Sequence, residues 1–220
     1  MKKILCVGYR DWALNIYDKI AQNFSDGDVN IIASHDAYSD SFVIRYNPDF
    51  ILFYGWSWMI SKDIISKYKC IMLHPSKLPK YRGGSPIQNQ IIRGEKDSAV
   101  TLFLMNEKVD AGPVIFQKPM SLSGSINDIF NRIVELGYQG TMQFLNHPIN
   151  GIKQVEEDAT YFERRTKEQS EITLKELKEQ PSEYIHNKVR MLQDPYPLPY
   201  FITSDNKKLF IHKTSVSDNE

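Results

Sequence analysis

The sequence predicts an α/β protein, a doubly wound and mostly parallel sheet with a small C-terminal α+β appendage. Three observations carry this. Short apolar runs alternate with helical periods from residue 1 to about 147. Several of those runs stop at Gly or Pro, the residues that turn a chain at a strand end. After His147-Pro148-Ile-Asn-Gly151 the alternation ceases and charged, proline-rich sequence follows.

In order, Lys3–Val7 reads as a buried strand and Asp11–Phe24 as an amphipathic helix, with Trp12, Leu14, Ile16, Ile20 and Ala21 on its packing face. Val29–Ala33 and Phe50–Tyr54 are further strands, with a helix near Ser61–Lys67. Cys70–Leu73 is a fourth strand that runs directly into His74. Ser85–Gly94 reads as a helix, with Pro86 in its first turn and Gly94 closing it. Ala99–Met105 and Pro113–Pro119 are two more strands, and Ser125–Leu145 is a long helix capped by Ser125 or Ser123. Beyond the break, Pro181–Leu192 is helical, Pro195-Tyr-Pro-Leu-Pro199 is extended, and Tyr200–Thr203 with Lys208–His212 form a hairpin around Asp205-Asn206. Ser215–Glu220 is a loose tail. The predicted division is thus 1–150, an α/β domain, and 151–220, a helix and hairpin appendage.

Ligands of such sheets bind beyond the carboxyl ends of the strands. Gly8-Tyr9-Arg10, Tyr54-Gly55-Trp56 and His74-Pro75-Ser76 are all predicted strand ends, and border one crevice. The 27 Lys and Arg balance the 27 Asp and Glu, so no overall field draws the protein to nucleic acid or an anionic membrane. No apolar run approaches the roughly 20 residues of a membrane span. Cys6 and Cys70 lie singly in apolar runs, as expected of reduced thiols in a cytoplasmic protein. No cluster has metal-ligand spacing.

The segment Leu73-His74-Pro-Ser-Lys-Leu-Pro-Lys-Tyr-Arg-Gly-Gly-Ser-Pro86 joins a histidine at a strand end to a loop stiffened by prolines and opened by glycines. Val109-Asp110-Ala-Gly112 follows 36 residues after the histidine. Asp110 is either a turn-former or a carboxylate that orients the imidazole. Together with Val100-Thr101, this ordered pattern resembles the formyltransferases that use 10-formyltetrahydrofolate. Tyr161-x-x-x-Arg165 and Ile185-His-Asn-x-x-Arg190-x-Leu-x-x-Pro195-Tyr-Pro197 are similar to the connector and helix that follow that domain in the sugar and tRNA members.

The resemblance implies a formyltransferase Rossmann-like fold and 10-formyltetrahydrofolate as cofactor. It implies that His74 takes the proton of an attacking amine, that Asp110 holds His74, and that the pterin binds along Trp58-Met59-Ile60, facing Asn106–Asp110. Of the family's acceptors, a nucleotide-linked amino sugar is expected: a 4-amino-4,6-dideoxy sugar on uridine or thymidine diphosphate, the pseudaminic acid pathway supplying one such sugar. Its diphosphate would meet Arg10, Lys77, Lys80 or Arg82 near Ser76, and Tyr9 or Trp12 would line the sugar or base pocket. Methionyl-tRNA formyltransferase is the alternative, against which residues 151–220 carry only 11 Lys and Arg beside 13 Asp and Glu.

One position departs from the family. An asparagine that donates to the developing oxyanion is expected two residues before the histidine, and this chain has Met72. A thioether cannot donate, and loss of one such donor costs about 100- to 1000-fold in rate. Asn106, Asn89 and Tyr54 are candidate replacements; the other readings are a folate-binding module or a formyl-folate hydrolase without sugar transfer. Tyr200, Phe201 and Phe210 give the terminal hairpin an apolar face, from which a homodimer is predicted.

Overall fold

The computed structural model describes residues 1–218. A six-stranded sheet forms its centre. In chain order the elements are β1 Lys2–Val7, α1 Asp11–Asn23, β2 Gly27–Ile32, α2 Asp40–Tyr46, β3 Phe50–Phe53, α3 Lys62–Lys67, β4 Lys69–His74, β5 Arg82–Gly83, α4 Pro86–Ile91, β6 Asp97–Leu104, β7 Val114–Ser121, α5 Ile126–Asn146, β8 Tyr161–Phe162, α6 Leu174–Glu179, α7 Ser182–Met191, β9 Tyr200–Ile202 and β10 Lys208–Phe210.

The main sheet has the order β2-β1-β3-β4-β6-β7. β2, β1, β3 and β4 are parallel, while β6 runs antiparallel to β4 and β7 antiparallel to β6. The chain leaves β1 in one direction to form β2 and returns to its other side as β3. A switch point therefore opens between the ends of β1 and β3, where Gly8–Arg10 and Tyr54–Trp56 emerge.

Strand residues alternate between two cores, as period-two geometry requires. Ile4, Cys6, Leu52, Ile71, Leu73, Val100 and Leu102 pack under α1 and α5. Leu5, Val7, Ile51, Phe53 and Cys70 pack under α2 and α3 through Val43 and Ile64. Burying each such side chain contributes about 1.5–3 kcal/mol. Burial also pushes the Cys70 thiol up to about 12, and raises that of Cys6 further. Neither is a reactive thiolate.

Helix α5 begins as expected at Ser125, whose hydroxyl accepts from Asp128 N–H while the Asp128 carboxylate accepts from Ser125 N–H. One predicted element needs correction, and two further features lie outside the predicted set. The predicted Ser85–Gly94 helix is helical only over Pro86–Ile91, because Arg93 and Gly94 N–H bond three residues back and tighten the end into a turn. Helix α2, in a stretch left unassigned, is capped by Ser39 and ends on Asn47 in the left-handed region. Its signals are present but too short to show a period. The short pairing of β5 with β8, which returns the connector to the domain, has no local sequence signature.

The terminal hairpin is antiparallel around Asn206, and Tyr200 is buried while Leu209 and Phe210 are exposed. Of the predicted loose tail, Ser215–Asp218 has no regular structure. Its last two positions lie outside the described residues. No helix among the described residues is long and apolar enough to cross a membrane.

Candidate active site

His74 ends β4 and is buried at the floor of a cleft of about 390 Å³. Its loop is fixed from beneath. The Ser76 hydroxyl donates to the Lys80 carbonyl, Thr101 to the Ser76 carbonyl, Gln90 to Pro75 and Gln117 to Leu78. These bonds leave the imidazole little freedom to tilt.

His74 Nε2 lies 2.7 Å from the Tyr81 carbonyl. A carbonyl can only accept, so this nitrogen carries a proton and Nδ1 is the one that exchanges. Asp110 Oδ2 lies 3.5 Å from Nδ1 and also accepts from Gly83 N–H at 2.8 Å. The ring stands between two acceptors, the Tyr81 carbonyl and the Asp110 carboxylate. Asp110 has a φ of +49°, a conformation aspartate tolerates better than most residues. Gly112 beyond it is required, since a Cβ there would lie 1.7 Å from the Leu104 carbonyl.

The predicted site residues separate into three groups. His74, Asp110 and Arg10 line the cleft together, and Tyr9 lines an adjoining cavity that shares Arg10, Trp12 and Pro195 with it. Trp58, Met59 and Ile60 do not line the cleft; they follow Trp56 and Ser57, which do. Trp58 packs on Tyr9, His35 and Trp56 at 5.0, 4.4 and 4.7 Å, Met59 is exposed and Ile60 buried. Lys62 bonds Glu107 at 2.8 Å and ties the segment after Ile60 to the loop that bears exposed Asn106.

Ser76, Lys77 and Arg82 fall outside the cleft. Ser76 is fully buried in its loop, and Lys77 points to the exterior. Arg82 has no exposed surface. Its guanidinium donates to Gln154, Glu156 and Tyr161, so it fastens the connector and is not an open anion site. Two suggested replacements for the missing asparagine are likewise engaged. Asn89 Nδ2 donates to the Gly84 and Glu163 carbonyls, and the Tyr54 hydroxyl is bonded to Thr141.

Other cations take the place of Arg82. Pairing of β5 with β8 brings Arg164, Arg165 and Lys167 to the cleft, and Tyr196 closes it from the far side. Arg165 is half-buried, with one N–H donated to the Gln169 carbonyl, and burial lowers its pKa below the ordinary arginine value. Arg10 lies over the Tyr9 and Tyr196 rings at 4.8 and 5.9 Å. Sequence reasoning singled out Arg165 only as part of the connector and missed Arg164 and Lys167, because nothing local marks a residue as folding back over 80 positions.

A buried histidine with an exchangeable nitrogen beside a carboxylate, under a cationic and aromatic cleft, can accept a proton from a nucleophile attacking a carbonyl. Among the described residues no group of three or more His, Cys, Asp or Glu could hold a metal. The model of the formyl transferase family matches residues 10–145. This chain belongs to the formyl transferase family.

Relatives include the methionyl-tRNA formyltransferase of Orientia tsutsugamushi (strain Boryong), 32% identical over 80% of this chain and 58% of that one. Another is the methionyl-tRNA formyltransferase of Enterococcus faecalis, 34% identical over 72% and 51%. The chain therefore spans little more than half the length of the curated relatives it matches. Among solved structures, the methionyl-tRNA formyltransferase from Clostridium thermocellum superposes with a TM-score of 0.88 at 28% identity, covering 100% of this chain and 96% of that one. A 4-N formyltransferase from Francisella tularensis shares the fold, with a TM-score of 0.77 at 21% identity over 99% of both chains.

Proposed function

We propose that the protein transfers a formyl group from 10-formyltetrahydrofolate to the amine of a nucleotide-linked aminodeoxy sugar. The observation that carries this reading is the His74–Asp110 pair at the floor of a cleft walled by Arg10, Arg164 and Arg165. The pair suits proton removal from an amine, and the arginines suit an acceptor that carries phosphate.

The residues present fit the donor. The Trp56 indole N–H is buried without a partner in the cleft, and Trp56, Trp58, Tyr9 and His35 form an aromatic wall suited to a flat heterocycle. Main-chain groups of Trp58–Ile60 would hold it, facing Asn106. When bound, the donor supplies the carbonyl carbon that the amine attacks. His74 Nδ1 receives the amine proton, Asp110 stabilises the resulting imidazolium, and the Tyr81 carbonyl holds the ring by its other nitrogen. Removal of water from around this pair strengthens each interaction.

Transfer to methionyl-tRNA is the second reading, favoured by the names of the relatives. The slight acidic excess of residues 151–220 weighs against a long phosphodiester contact there. Incubation with 10-formyltetrahydrofolate and, separately, a panel of nucleotide-linked amino sugars or methionyl-tRNA decides between them by product mass. A gain of one formyl group on a sugar supports the proposal, and formylation of the tRNA alone overturns it. Donor binding with no product on either acceptor would favour a folate-binding module, and acceptor-independent release of formate a hydrolase.

A further inference from the structure

Three buried side-chain nitrogens among the described residues have no hydrogen-bond partner: Trp56 Nε1, Gln88 Nε2 and Arg165 Nε. All three residues line the His74 cleft. Leaving a buried donor unmet is costly, so a cleft that concentrates such donors suits oxygen atoms that arrive with ligands.

Their positions differ. Met72 and His74 are two residues apart on β4 and share a face of the sheet. Met72 pairs in register with Phe53 of β3, and Trp56 follows three residues later as that strand ends. Trp56 and Met72 pack in the same apolar cluster. Trp56, Met72 and His74 thus line one cleft, with Trp56 carried there by the strand beside β4. Gln88 belongs to α4, whose Ile87 and Ile91 pack into the opposite core. Arg165 enters from the connector.

We propose that the indole N–H of Trp56 donates to the formyl oxygen as negative charge develops on it, in place of the asparagine that Met72 has displaced. The inference rests on the formyl transfer proposed above. As the amine lone pair forms the new N–C bond, the carbonyl electron pair moves onto oxygen, where the indole N–H meets it. The amine proton passes to His74. When the carbonyl reforms, the bond to the donor nitrogen breaks and that nitrogen takes the proton from His74. Trp56 is held by Tyr38, His35 and Trp58 at ring separations of 5.4, 5.9 and 4.7 Å, so the N–H needs little reorganisation to serve.

The test has a binding arm and a kinetic arm. In the protein labelled with ¹⁵N, the Trp56 indole N–H resonance is followed while 10-formyl-5,8-dideazafolate is added without any amine, and tetrahydrofolate serves as the formyl-free control. A downfield shift with the formyl compound and none with the control is expected. Binding of both with the same indole response overturns the inference while leaving the proposed function standing; binding of neither overturns both. In the kinetic arm, Trp56→Phe should lower kcat by about 100- to 1000-fold with little change in the KM of the donor, and adding Met72→Asn should restore much of the loss. A kcat within a few-fold of wild type, or a loss that appears in Gln88→Met instead, overturns it. Should Trp56→Phe fail to fold, the resonance arm on the unaltered protein decides.

Discussion

His74 Nδ1 and Asp110 Oδ2 stand 3.5 Å apart, with both side chains almost fully buried. That distance exceeds a normal hydrogen bond. The carboxylate is tethered to Gly83 N–H and the imidazole to the Tyr81 carbonyl, so neither closes the gap by itself. The pair is set to tighten when Nδ1 gains a proton, which places its strongest interaction after proton transfer.

It follows that His74→Ala and Asp110→Asn each lower kcat by about 100-fold or more while circular dichroism and thermal unfolding stay near wild type. Formyl transfer measured by product mass at saturating substrate checks this, and wild-type turnover in either variant removes that residue from the mechanism.

Arg165→Met should raise the KM of a phosphate-bearing acceptor by roughly 10- to 100-fold, the worth of hydrogen bonds to a charged group, with kcat far less affected. The same variant should flatten the dependence of kcat/KM on salt. An unchanged KM places the acceptor elsewhere.

The hydrogen bond from Arg82 holds the Glu156 carboxyl below the usual glutamate range. A depressed carboxyl stabilises the fold above its unfolded value, near 4.5, and that contribution is lost as pH falls through the folded value. The Tm difference between wild type and Glu156→Gln should therefore be largest at neutral pH and shrink below about pH 4.5. Arg82→Met, which removes a fully buried guanidinium and leaves Gln154, Glu156 and Tyr161 without their donor, should destabilise by about 1–3 kcal/mol at neutral pH in urea unfolding.

Leu209 and Phe210 leave apolar surface on the terminal hairpin. We expect self-association through it, seen as a dimer in sedimentation at micromolar concentration and abolished by Leu209→Ser with Phe210→Ser. A monomeric wild type would refute this.

Much of the fold was legible because strands and the long helix α5 declare themselves locally, through apolar runs, a helical period and a capping serine. Helix α2 and the β5–β8 pairing were not, since the seven residues of α2 show little of a period and a two-residue bridge has none. The sequence also misled at Arg82. A cation next to two glycines reads as a ligand clamp, whereas its three partners come from residues 154–161 and draw it inward.

By itself, then, the sequence determined the α/β class and the strand-end loops, which follow from local pattern, while the pairing of His74 with Asp110 was implied by resemblance and is seen in the structure. Tertiary structure alone decided which nitrogen of His74 exchanges, which cations face the cleft, and which buried donors of the cleft stand unmet. Those depend on where the connector folds back and on the register of β3 against β4, and long-range pairing leaves no mark in a local stretch of chain.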